Sequence, residues 1–360
     1  MFSPRRRRRA PTSRSHRLAS RPSAGPSLRS LVWWPVILLA AATCAACGGS
    51  RETSASPRPN KRPDLQRTLD ALSHDSRTNT IALVQSETEA WRGASAYAQE
   101  SPPPNPGDRF GIASTTKAFV ATVVLQLAGE GHLSLDDPVA LQLPDRLRRG
   151  RRITIRELLN HTSGLPPDVS FELPRQAEQP PLLFPPGTGH SYSNLNYVVL
   201  GLIVEKVTGR PLDEVVGDRI ILPLDLVDTS YGTVRVRGSV PNWLGVVQQE
   251  GGEVSGAGGV VSTAGDLARF FQALLGGKLL RPPLLAEMTK TVKTGTEFEA
   301  GLGLFRVELP CGSAWGHGGD EPAYANQVLV SPGASKIVVV AQSTLGWNRV
   351  KDAAEAMYCS

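Results

Sequence analysis

Apolar positions along the chain fall into runs of different kinds, and each kind predicts a different element. The stretch Leu31 to Ala46 is apolar throughout, whereas residues 48–63 offer almost nothing that could enter a core. From Asp64 onward the pattern becomes that of a folded body. Ile81 to Gln85 and Ala90 to Ala96, separated by a short polar turn, suit a strand hairpin. Beginning at Ser114, the apolar positions Ala118, Val120, Val123, Val124 and Leu127 describe a largely buried helix that Gly131 stops. Between Leu141 and Val260 the spacing predicts helical pieces interrupted by Pro and Gly, namely Ile155 to Asn160, Asn196 to Val207 and Leu212 to Ile220. These pieces are expected to form a lobe of their own. Ser262-Thr263-Ala264-Gly265-Asp266 has the form of a helix start, because a hydroxyl precedes an acid and Leu267, Phe270 and Phe271 follow at helical spacing. The tail reads as strand (Asn326 to Val330), turn (Pro332-Gly333), strand (Lys336 to Ala341) and helix (Val350 to Tyr358).

Charge changes the reading of the N-terminus. The formal net charge of +6 suggests a polyanion partner until it is located: residues 1–47 hold nine Arg and no acid. Without those nine, 30 basic residues face 33 acidic ones, so the body has no general attraction for a phosphate backbone and a nucleic-acid partner is not expected. Basic residues followed by a short apolar run and small residues are the layout of an export signal. The run is shorter than the roughly 20 residues of a spanning helix, so residues 1–47 are expected to direct export, 48–63 to be a flexible tether, and 64–360 to be the functional domain. Cys47, in Cys44-Ala45-Ala46-Cys47-Gly48, is similar to the lipidated cysteine of a bacterial lipoprotein site, the other reading being ordinary cleavage after small residues. Membrane association is expected only through such a lipid. Cys311 and Cys359 read either as a disulfide of an oxidising compartment, closing a loop of about 49 residues, or as two buried thiols.

Three short elements carry the candidate chemistry. In Ser114-Thr115-Thr116-Lys117 the hydroxyl stands at a helix start, where free amides favour developing negative charge. A lysine three residues on shares its face and can take its proton. Tyr192-Ser193-Asn194 follows the turn Pro185-Pro186-Gly187-Thr188, which puts a phenol and an amide on a loop. A neighbouring cation such as Lys117 would ease ionisation of that phenol, although bringing a pKa from about 10 to about 7 takes roughly 4 kcal/mol. Gly316-His317-Gly318-Gly319 lies between apolar stretches on an expected strand, its glycines allowing a substrate backbone to approach.

In this order the three elements resemble the serine β-lactamase and penicillin-binding protein family, in particular its D-alanyl-D-alanine carboxypeptidase and class C β-lactamase branch. That branch carries Ser-x-x-Lys, Tyr-x-Asn and a Lys or His followed by x-Gly, matched here by Ser114 with Lys117, Tyr192 with Asn194, and His317 with Gly319. The segments Glu157 to Leu165 and Gly258 to Thr263 are similar to scaffold stretches of the same family, which implies a structural role for His161. The resemblance covers roughly residues 70–359. It implies an α+β fold of the β-lactamase/transpeptidase type: an antiparallel sheet flanked by helices plus a mostly helical lobe, with the active site between them.

The resemblance also implies an acyl-enzyme mechanism without metal or organic cofactor, in which Ser114 attacks a carbonyl and Lys117 and Tyr192 share the base role. The backbone N–H groups of Ser114 and Asp320 would form the oxyanion hole. Asn194 would bind the substrate amide or Lys117, and His317 would hold Tyr192 or the leaving side. His317 and the late cysteine pair are most similar to secreted actinobacterial D-alanyl-D-alanine carboxypeptidases, which carry His-Thr-Gly and a comparable disulfide. The expected enzyme is therefore a monomeric carboxypeptidase-like protein acting on a peptidoglycan stem peptide. The alternatives are a β-lactamase, a small-ester or amide hydrolase, and a penicillin-binding sensor or scaffold with little turnover. Gly318 departs from the pattern, since the carboxypeptidases use hydroxyls there for the substrate's terminal carboxylate, and the acid Asp320 that follows would repel that group. Arg306 is read either as a compensating partner for the carboxylate or as an ordinary surface arginine.

Overall fold

The computed structural model describes residues 62–97, 103–167, 173–175, 179–232, 234–235 and 255–360. The chain divides into Met1–Ser56 and Pro57–Ser360, and every described residue lies in the second unit. The export signal, the tether as far as residue 61, and Cys47 fall outside the described residues. No helix among the described residues is long and apolar enough to cross a membrane.

In chain order the body opens with α1 (Pro63–Ser76), then β1 (Thr80–Ser86), β2 (Ala90–Ser95), β3 (Phe110–Gly111) and α2 (Thr116–Gly129). The short α3 (Ile155–Leu159), α4 (Asn194–Thr208) and α5 (Leu212–Val216) follow, then β4 (Ser230–Tyr231), β5 (Val234–Arg235), β6 (Val260–Ser262), α6 (Ala264–Leu275) and α7 (Pro282–Met288). The chain ends with β7 (Val292–Lys293), β8 (Phe298–Ala300), β9 (Phe305–Leu309), β10 (Gly312–Glu321), β11 (Tyr324–Val330), β12 (Lys336–Gln342) and α8 (Trp347–Tyr358).

Strand order in the main sheet is β2-β1-β12-β11-β10-β9-β8-β7, antiparallel throughout, and a second sheet runs β3-β6-β4-β5. The central strands β11 and β12 are buried on both faces, so they read as apolar runs rather than as alternation. Their residues divide strictly by parity. Ile81, Leu83, Val328 and Val339 join α2, α4 and α6 in one core, while Ala82, Val84, Leu329, Val338 and Val340 pack with α1 and α8 in another. The expected separate lobe is thus not independent: Leu158, Val199 and Val216 share one core with the sheet residues Leu83 and Val339. The buried area that stabilises the lobe is the same area that attaches it to the sheet.

The predicted helix starts hold with small shifts. Thr263 accepts a hydrogen bond from the Asp266 amide at the head of α6, as a capping hydroxyl should. The C-terminal helix begins at Trp347, a turn before the apolar periodicity makes it visible. Cys311 and Cys359 form a disulfide with Cα atoms 5.4 Å apart, joining the β9–β10 turn to the end of α8.

Candidate active site

The site is assembled where α2, α4 and β10 meet. Ser114 sits in a 3-10 turn, Ala113–Thr115, and the α-helix proper starts only at Thr116, so the hydroxyl precedes the helix rather than opening it. Ala113, immediately before it, is held in the left-handed region at φ 46°, a conformation that costs a non-glycine residue about 1–3 kcal/mol. The surroundings that hold it there are specific. Asn326 on β11, fully buried, donates from Nδ2 to the Ile112 carbonyl (3.0 Å) and accepts from the Thr115 hydroxyl (2.8 Å), clamping the turn from both sides. Gly319 lets β10 lie against that turn, since a Cβ there would stand 2.3 Å from the Ile112 carbonyl oxygen and 3.1 Å from the Ala113 Cβ.

Lys117 projects from the first turn of α2 into the same space and is wholly buried. Its Nζ lies 2.9 Å from each of three oxygens: Ser114 Oγ, Asn194 Oδ1 and the Ala257 carbonyl. No carboxylate among the described residues pairs with it, and burial holds its pKa well below the ordinary lysine value. The three contacts fit a neutral amine, whose two N–H bonds serve Asn194 and Ala257 while its lone pair faces the Ser114 hydroxyl. Asn194 is not on a loop as expected; it is the first residue of α4, and that helix start fixes its amide.

Tyr192 precedes that helix on extended chain, its phenol hydrogen-bonded to Ser114 and its ring 5.2 Å from Lys117 Nζ. Burial pushes its pKa well above 10, only partly opposed by the Ser114 hydrogen bond, so the expected easing of ionisation does not occur. Desolvation disfavours the phenolate, and Lys117, whose own charged form is disfavoured by burial, does not reverse this. His161 stacks on the phenol ring, 4.4 Å between centroids. Its Nδ1 receives the Ser193 amide (3.3 Å) and lies 2.9 Å from the Asn196 amide nitrogen, so that nitrogen is the unprotonated one. His161 thus fixes the Tyr192 ring and the entry to α4.

On β10, His317 is 3% exposed, with Nδ1 2.6 Å from the Gly318 carbonyl and Nε2 buried without a hydrogen-bond partner. A carbonyl can only accept, so Nδ1 carries the proton and Nε2 offers a lone pair. Burial, with Lys117 adding to it, pulls the pKa down to about 3 and keeps the ring neutral. The ring meets Phe305 edge-on at 5.3 Å and makes no hydrogen bond to Tyr192, so of the two expected roles the hold on Tyr192 is absent, and the leaving-side role is the one left open.

Arg306 does not reach the cleft. It is next to Phe305 in β9 and therefore on the other side of that strand, where its guanidinium is held by Glu299 (3.2 Å) and Glu308. Gly318 has a physical reason for lacking a side chain: a Cβ there would lie 2.0 Å from the indole nitrogen of Trp347. The indole donates to Gln327 Oε1 (2.7 Å) and fills the place a hydroxyl would need.

Ser114, Tyr192, Asn194, His317, Gly318 and Asp320 line one cavity of about 670 Å³. It passes the part of β10 that has no strand partner on its outer side, because β9 pairs only as far as Gly316. No group of three or more potential metal ligands occurs among the described residues.

Comparison with known proteins finds relatives in both sequence and fold. The family model described as Beta-lactamase matches residues 65–357. An Escherichia coli (strain K12) protein named "Putative D-alanyl-D-alanine carboxypeptidase" is 29% identical over 255 residues, covering 55% of this chain and 58% of its own length. The chain therefore spans little more than half of that relative. Among solved structures, a D-stereospecific amidohydrolase from Streptomyces sp. is 31% identical with a TM-score of 0.70, covering 82% of this chain and 98% of its own. A D-amino acid amidase from Ochrobactrum anthropi SV3 shares the fold with a TM-score of 0.69 at 24% identity, covering 82% and 97%.

Proposed function

The chain belongs to the Beta-lactamase family of serine hydrolases, and from that premise we propose that it cleaves amide bonds beside D-configured residues through an acyl-enzyme on Ser114. The observation that carries this reading is the buried, uncompensated amine of Lys117 held 2.9 Å from the Ser114 hydroxyl. Lys117 takes the hydroxyl proton as Oγ bonds to the substrate carbonyl carbon, and the ammonium so formed keeps its contacts to Asn194 and Ala257. The N–H groups of Ser114 and Asp320 receive the developing oxyanion. Tyr192, which retains its proton, passes it to the departing nitrogen as the C–N bond breaks and recovers one from Lys117. Water then bonds to the acyl carbon as Lys117 takes its proton, and when the ester C–O bond breaks Lys117 returns that proton to Ser114 Oγ, freeing the acid and restoring the enzyme.

The carboxypeptidase reading rests on the name of the E. coli relative, and the amidase reading on the Streptomyces structure; both use this step. A fluorophosphonate probe followed by intact mass tests it. One adduct is expected on the wild type and none on Ser114→Ala, with Lys117→Ala slowing labelling about 10²-fold or more. Labelling that persists in Ser114→Ala would remove Ser114 from the mechanism. Acylation by a penicillin without turnover of any peptide, amide or ester would favour the sensor role instead.

A further inference from the structure

The cavity has a second half that the acyl-transfer machinery does not use. It lies across the unpaired outer side of β10, on the face that α8 covers, and is walled by Phe298, Phe305, Val307, Leu329 and Trp347. Phe298 meets both aromatic neighbours, Trp347 at 5.8 Å and Phe305 at 6.4 Å between centroids, so the walls brace one another around an open slot. Gly318 at its entrance is kept free of a side chain by Trp347.

At that entrance His317 and Asp320 offer acceptors, while the Trp347 donor is already committed. The Trp347 N–H is spent on Gln327, and one amide hydrogen of Gln327 goes to the Val328 carbonyl (3.1 Å). His317 presents a buried lone pair with no partner. Asp320 has one oxygen on the Gly346 amide (3.2 Å) and its side chain is exposed at the cavity rim. Among the described residues that line the cavity there is no Arg or Lys, and Arg306 is engaged elsewhere by two carboxylates. A terminal carboxylate would meet an acid and a lone pair; a donor group would meet two acceptors.

We infer that this half of the cleft is a subsite for an aromatic or large apolar side chain next to a free ammonium, so that the substrates are amides of amino acids with an unblocked amine rather than peptides ending in a carboxylate. The inference rests on the acyl-enzyme reading and adds the substrate class to it.

The test compares kcat/KM for D-phenylalanine p-nitroanilide, its N-acetyl derivative, D-alanine p-nitroanilide, and a D-Ala-D-Ala peptide with its C-terminal amide. The free amine is expected to exceed the acetylated substrate by about tenfold or more, D-phenylalanine to exceed D-alanine, and the peptide amide to exceed the peptide acid. In Asp320→Asn the ratio of free to acetylated substrate should collapse towards one. In Trp347→Leu the preference for D-phenylalanine over D-alanine should shrink. Each is a ratio within one enzyme, so a general loss of activity does not imitate the effect. Preference for the acetylated substrate or the peptide acid, or a free-to-acetylated ratio unchanged in Asp320→Asn, overturns the inference. Turnover of p-nitrophenyl acetate that depends on Ser114 separates the two readings: if it is present without the amine preference, only the subsite fails; if it is absent, the acyl-enzyme fails first.

Discussion

Glu321 follows the β10 residues that line the cleft, and its Oε1 is buried without a hydrogen-bond partner beside Gly111. Burial and the neighbouring charge of Asp320 raise its pKa from 4.5 to about 7. Between those values the folded protein keeps a proton that the unfolded chain has released, so stability declines as pH rises through that window and stays lower above it. Glu321→Gln should remove the decline: thermal melts at about pH 5 and pH 8 should differ less in the variant than in the wild type. Parallel shifts in both proteins would show that this carboxyl is not the source. Individual residues differ in how far they can be read from the chain. Ser114 and Lys117 are legible because a 3-10 turn running straight into a helix keeps residues three apart on one face whatever else the fold does. The protonation of Tyr192 was not, since it depends on burial by His161 and Phe305, which come from other elements.

Among the elements, β11 has the widest influence on the site. Its Asn326 interrupts an otherwise largely apolar strand, and that interruption is the one sequence signal that could have marked it. The side chain holds the turn that carries Ser114 at both ends. Asn326→Ala would leave the buried Thr115 hydroxyl without its acceptor, at about 1–3 kcal/mol, while the Ile112 carbonyl would keep only the Thr115 amide. Urea unfolding should show that loss, and kcat/KM should fall about tenfold or more as the Ser114 turn loosens. Unchanged kcat/KM in a destabilised variant would confine Asn326 to stability. Helices α2, α4 and α6 were legible from their apolar spacing and caps. The arm of short strands β7 and β8 was not, because two or three residues carry no measurable period. Nor was the part played by Trp347, a residue whose effect on Gly318 exists only once α8 is laid over β10.

For the molecule as a whole, the sheet, its two helical faces and the cleft are one cooperative body stapled late in the chain. The Cys311–Cys359 bond closes 48 residues that include β10, β11, β12 and α8, and its removal should lower stability by about 2–4 kcal/mol. Comparing urea midpoints of the wild type with Cys311→Ser/Cys359→Ser, each with and without reductant, measures this. Equal midpoints without reductant would mean that the staple adds nothing to what the β10–β11–β12 ladder already holds. The architecture was legible at this scale through the resemblance carried by the three motifs, with only the β1–β2 and β11–β12 strands and some helices visible locally. The shared core was not, since it depends on which faces meet. One contact limits what a substitution can remove. Lys117 is cradled on one side by the main-chain oxygen of Ala257, an atom that every amino acid possesses. Ala257 is itself buried in the core, so replacing its side chain removes no hydrogen-bonding group from Lys117, and that support is lost only if the main chain there moves.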